Sequence, residues 1–138
     1  MKHLVILSLL ITIISYSCDE AGTPPDCSGN FACTEVFITI GVDIKNSSGQ
    51  AVTLDSALVT NKKSGISHTP YFDNNPGFAS YYGIANDGDL DEIDFDGTIF
   101  LLEGWIDSEK VVSEEFLIGK DCCHILKLDG PDEIIIPG

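Results

Sequence analysis

Between Cys33 and Lys45 the chain keeps a strict two-residue rhythm: Val36, Ile38, Ile40, Val42 and Ile44 alternate with Phe37, Thr39, Gly41 and Asp43. Successive side chains of an extended strand point to opposite faces, so this stretch predicts a strand with one buried face, which needs a second layer to cover it. Comparable segments recur along the chain. Ala51 to Thr60 places Val52, Leu54, Leu58 and Val59 in extended structure, with a register break expected near Asp55-Ser56. Thr98 to Trp105 is apolar on both faces and reads as a central strand. Val111 to Ile118, Cys122 to Leu128 and Ile134 to Ile136 are extended again. Asn46-Ser47-Ser48-Gly49, Ile106 to Lys110 and Asp129-Gly130-Pro131 supply turns, and Asn61 to Ser80, with its Gly and Pro residues, is the longest loop. No window carries a 3.6-residue period. Short strands separated by turn signals predict an all-β fold, a single β-sandwich over residues 34–138.

The first residues read as an address. Lys2 and His3 precede an apolar run from Leu4 to Ile14, too short for a permanent bilayer-spanning helix and suited to a cleaved signal peptide, residues 1–17. Its end, Ser15-Tyr16-Ser17-Cys18, resembles the lipobox of bacterial lipoproteins, in which cleavage leaves an N-terminal cysteine carrying a diacylglycerol. That resemblance implies lipidation of Cys18 with fatty acyl chains such as palmitate, and residues 18–33 become the lipidated cysteine and a flexible tether. The alternative is an ordinary small-x-small cleavage site that leaves Cys18 a bare thiol. Parity bears on the choice: five cysteines are odd, whereas lipidating one leaves four that can pair. Acyl chains bury about 0.8 kcal/mol per methylene, so two or three chains anchor permanently. Asp19 and Glu20 directly behind Cys18 resemble a surface-export signal of lipoproteins in the Bacteroidota. The implied location is the outer membrane, on its periplasmic or exposed leaflet, whereas in enterobacterial lipoproteins Asp19 at that position would instead imply retention at the inner membrane.

Removing residues 1–17 from 138 leaves 121, enough for one core. One of the seven lysines precedes the cut and all 22 acidic residues follow it, so the remaining chain carries a formal charge of −16, without a single arginine. Such a chain is a poor partner for nucleic acid or for an anionic membrane surface, and its natural small partners are cations.

The order of a strand, the turn ending Gly49-Gln50-Ala51-Val52, a second strand, a variable loop, then Asp96-Gly97-Thr98-Ile99-Phe100-Leu101-Leu102 and the later Phe116-Leu117-Ile118-Gly119, resembles transthyretin-like or carboxypeptidase-regulatory-like domains. The resemblance covers residues 34–128. It implies an Ig-like or prealbumin-like sandwich and a structural or accessory, non-catalytic module; a glycan or protein partner is a separate expectation from the acidic stretch and the aromatics below. It also implies that a cysteine ahead of the first strand ties to the late strand, Cys33 to Cys122 or Cys123. Cys27, Cys33, Cys122 and Cys123 nevertheless admit three connectivities.

Three constellations carry chemistry. The stretch from Asn86 to Gly97 holds six carboxylates, Asp87, Asp89, Asp91, Glu92, Asp94 and Asp96. Counted from Glu92 it follows the spacing of a calcium loop, with Gly97 at the sixth position and Glu103 at the twelfth, because a hard cation is held by oxygens at alternate positions of a tight loop. That spacing would suit Ca2+, although Ile99 to Trp105 reads as a strand where that template has a helix, and the plain reading of the same residues is a solvated hairpin turn that needs no cofactor. Tyr71, Phe72, Phe78, Tyr81 and Tyr82 form an aromatic group in or beside the long loop, able either to stack on a ligand such as a glycan or to cap the sandwich. Calcium and these rings together would make a calcium-dependent adhesin. Cys122-Cys123-His124 could form a metal or redox site, but contiguous ligands lack the spacing for tetrahedral zinc and no C-x-x-C is present. His68 and His124 are the histidines outside the leader, and no G-x-S-x-G, H-E-x-x-H or phosphate-binding glycine loop accompanies them, so no catalytic residue is assigned and a small hydrolase, which would need a deep cleft converging on one of these histidines, ranks third behind the binding or structural module and the calcium-dependent adhesin.

Overall fold

The computed structural model describes residues 25–29, 32–71 and 80–137. The expected signal peptide, the lipidation position Cys18, and the loop aromatics Phe72 and Phe78 lie outside the described residues. Eight strands are described: β1 Thr39–Asn46, β2 Ser56–Asn61, β3 Ser67–His68, β4 Tyr81–Asn86, β5 Thr98–Ile106, β6 Glu109–Lys120, β7 Ile125–Asp129 and β8 Glu133–Ile136. One 3-10 helix, Asp87–Glu92, follows β4. The strands form two sheets, β4-β1-β8 and β3-β2-β5-β6-β7, which is the all-β sandwich expected.

β1 is the centre of the smaller sheet because its period-2 pattern presents Ile40, Val42 and Ile44 inward, and all three are buried. It pairs antiparallel with β4, Val42 opposite Tyr82, and parallel with β8, Ile44 opposite Ile134. In the larger sheet β5 lies between β2 and β6, as its apolar sequence predicts. Phe100 and Leu102 of β5 and Val112, Phe116 and Ile118 of β6 meet the β1 face across the interior. Burying one such large side chain contributes about 2–3 kcal/mol, which makes this layer the main source of stability.

The turn after β1 forms as its residues require. The Asn46 carbonyl accepts from Gly49 N at 2.8 Å and its side-chain oxygen from Ser48 N at 3.0 Å, while Gly49 takes φ 77°.

The alternation overreaches at both ends. Val36 and Phe37 precede β1 and are 60% and 65% exposed, because the chain there has left the sheet for the cysteine-bearing segment. Of the extended run expected from Ala51, only the part from Ser56 is strand, which fits the break foreseen at Asp55-Ser56. Ile99 of β5 is 41% exposed, so the outer face of the larger sheet meets solvent although its sequence is apolar there. Cys122 and Cys123 are not in a strand: they occupy the turn between β6 and β7. Tyr82, grouped above with the loop aromatics, belongs to the core at 2% exposure, and its hydroxyl accepts from Leu54 N at 2.7 Å.

Candidate functional site

The turn from Asp121 to His124 is where the chain before β1 is fastened to the sandwich. Asp121 Oδ1 accepts from the amides of Cys123 at 2.7 Å and His124 at 2.8 Å. These two bonds hold the Asp121 carboxyl below the usual range. The compact turn they close lets two adjacent cysteines reach the same incoming segment, which a straight strand would forbid. Cys27 bonds to Cys122 and Cys33 to Cys123, each with Cα atoms 5.4 Å apart. The second bridge is the Cys33 link implied by the resemblance, and Cys27 takes the remaining partner. All four sulfurs are thus in disulfides, which removes the thiolates that a Cys122-Cys123-His124 metal or redox site needs.

Beneath the bridges runs a chain of polar contacts. Thr34 Oγ1 lies 2.9 Å from His124 Nε2, and His124 Nδ1 lies 2.8 Å from Asp87 Oδ2. Asp87 Oδ2 also accepts from Ile38 N at 2.8 Å, and its Oδ1 from Ile125 N at 3.0 Å. Burial works to raise the Asp87 pKa, but the two amides and the imidazole outweigh it and the net direction is down. The order hydroxyl, imidazole, carboxylate is the one that activates nucleophilic hydroxyls. Here these contacts join Thr34 and Ile38, ahead of β1, to the start of the 3-10 helix and to the β6–β7 turn.

The acidic stretch is dispersed rather than gathered. The 3-10 helix starts at Asn86, whose side chain accepts from Gly88 N at 2.7 Å while Asp89 Oδ2 accepts from Asn86 N at 2.8 Å, a reciprocal cap. Asp89 Oδ1 accepts from the Tyr71 hydroxyl at 3.0 Å. Desolvation and the neighbouring Asp89 push the Tyr71 phenol up to about 12. Asp94 takes a two-pronged contact from Lys63, 2.6 Å to each oxygen. Asp91, Glu92 and Asp96 are exposed, and Glu103 lies within β5 paired with Lys110. The exiting helix of a calcium loop is replaced by β5, which carries Glu103 away instead of folding it back. Among the described residues no three His, Cys, Asp or Glu side chains are grouped to hold a metal ion.

The remaining aromatics are tied into the framework as well. Tyr71 stacks on His68 with ring centroids 4.7 Å apart, and the half-buried Tyr81 donates to Thr39 O at 3.1 Å. Lys120, which the sequence pattern did not single out, reaches back to Leu90 O at 2.6 Å and lies 5.2 Å from the Phe95 ring. With Cys27, Asp91, Asp121 and Cys122 these groups border a hollow of about 230 Å³ beside the first bridge. Comparison of the chain with family models, with curated proteins and with solved structures finds no match.

Proposed function

We propose that this chain is a lipid-anchored cell-envelope module, non-catalytic, whose sandwich is held within a short distance of the membrane. The observation that carries the reading is the pair of bridges joining residues 27 and 33 to the β6–β7 turn. Disulfides form and persist in oxidising compartments, which agrees with an exported chain. Cys27 is nine residues beyond Cys18, so a lipidated Cys18 leaves the first staple at most roughly 30 Å from the bilayer. Force or thermal motion transmitted along the tether then reaches the β6–β7 turn of the larger sheet through the bridges, as well as β1, the central strand of the smaller one. The resemblance to transthyretin-like modules and the absence of arginine support an accessory role that does not involve nucleic acid.

The test is production of the full chain in a bacterial host fed an alkyne-bearing palmitate analogue, beside the Cys18→Ala variant. The expected outcome is that the parent chain is labelled and sediments with the outer membrane, whereas the variant is unlabelled and soluble. A labelled or membrane-bound variant contradicts the proposal.

A further inference from the structure

The tip of the β5–β6 hairpin is the end of the sandwich farthest from the bridges. Thr98 pairs with Ile118 near the Cys122 turn, and Ile106 pairs with Glu109 at the opposite end. Nine residues of β5 separate these ends by about 26 Å. At the tip lies a hollow of about 610 Å³ lined by Asp55, Ser56, Trp105, Asp107 and Ser108. That volume is within the roughly 300–1,000 Å³ of small-ligand sites. Trp105 is the only tryptophan of the chain and is half-buried.

Local structure aims these residues. The register shifts between Gly104 and Trp105, and a Cβ at Gly104 would stand 2.5 Å from Leu54 Cδ1, so Leu54 packs beneath the bulge only because residue 104 is glycine. The turn itself uses two left-handed residues, Asp107 at φ 50° and Ser108 at φ 66°, where glycine or asparagine is the ordinary choice. Asp55 braces it: its Oδ2 accepts from Asp107 N at 2.7 Å, and its own amide donates to Trp105 O at 2.9 Å. Lys110, held by Glu103, places its ammonium 5.8 Å from the Trp105 ring.

We propose that this hollow binds a neutral saccharide. The indole face that Lys110 leaves open takes the C–H face of a sugar ring, while the two carboxylates and two serine hydroxyls that line the hollow offer both acceptors and donors to its hydroxyls. An anionic ligand meets a chain with formal charge −15. A cationic ligand meets the ammonium of Lys110, which already lies over one face of the ring, and Asp55 has one oxygen engaged by the turn. The proposal rests on the reading of the sandwich as a displayed binding module and adds the site and the ligand class.

The lone tryptophan makes its own reporter. The full chain, purified with its disulfides formed in a detergent without a sugar headgroup, is titrated with cello-, chito-, xylo-, manno-, laminari- and maltohexaose while tryptophan emission is followed. The expected result is a saturable change with at least one of them, and loss of calorimetrically measured binding by about tenfold or more in Trp105→Ala. Trp105→Phe, which keeps a ring, is expected to retain part of it, and unfolding midpoints show whether each variant is folded. No saturable change with any of the sugars overturns the proposal, as does binding that a folded Trp105→Ala or Trp105→Phe variant leaves undiminished. A similar saturating change with hexalysine replaces the saccharide by a cationic peptide. None of these outcomes depends on whether Cys18 carries lipid, so failure here is distinct from failure of the anchoring reading.

Discussion

Asp87 accepts hydrogen bonds from the amides ahead of β1 and at the start of β7 and meets the imidazole of the adjoining cysteine turn, so one carboxylate ties the segment before β1 to the turn that enters β7. Replacing it by alanine leaves two backbone amides without their charged acceptor, and we expect Asp87→Ala to destabilise the domain by about 3 kcal/mol in urea unfolding. Protonation has a related effect. The folded pKa values of Asp87 and Asp121 are both depressed, so the stability they contribute is fully present above the unfolded value near about 4 and is lost as pH falls through the lower folded values. Urea midpoints measured downward from pH 5 should therefore fall, and the fall should be shallower in Asp87→Asn. Tyr71 acts at the other end of the scale. Its raised pKa means that its contribution is intact below pH 10 and is lost as pH rises through about 12, and ultraviolet titration of the phenols is expected to show late titration by Tyr71 and also by Tyr81 and Tyr82, which burial shifts upward as well. None of these roles is visible in sequence, because Asp87 there is one of six similar carboxylates and its three donors are 37 to 49 residues away.

Strands were legible where one face is apolar and period-2, and the two-sheet sandwich follows from that alone. Partner choice was not legible. β8 joins β1 in parallel and β4 joins it from the other side, and neither pairing leaves a local mark in the residues involved. The same limit explains Tyr82, which by neighbourhood in sequence belongs with the loop aromatics and by strand parity belongs with Ile84 in the core. The acidic stretch shows the converse, since its spacing matches a calcium loop while the β-forming residues after Gly97 carry Glu103 into a strand. Lys63 is brought to Asp94 by tertiary folding alone. At the β5–β6 turn the left-handed Ser108 carries strain that glycine would avoid, so Ser108→Gly is expected to raise stability by about 1 kcal/mol, read as a higher thermal midpoint. If the hollow binds sugar, Ser108→Gly also removes one of its hydroxyls and weakens that binding.

For the whole molecule the organising fact is that its two ends differ. One end holds both bridges and the polar contacts around Asp87, and the other holds the single tryptophan and the braced turn. A bridge closing 90 or 95 residues contributes about 4–5 kcal/mol in the chain-entropy view, and the second contributes less because its ends are already near each other. Reduction should lower the denaturation midpoint accordingly. The sequence limited the cysteines to three pairings without choosing among them, since the Asp121 turn that lets both adjacent sulfurs face the tether depends on its carboxylate bonding two amides. The central claim is that a lipid-bearing tether is stapled across the chain to that turn. The most direct measurement is mass spectrometry of the protein from its envelope fraction after cleavage at lysine without reduction. The account expects a peptide spanning residues 18–45, with a diacylglyceryl mass on Cys18, that stays joined to residues 121–127 until reductant is added. Separate peptides before reduction, or an N-terminal peptide without lipid, would contradict it.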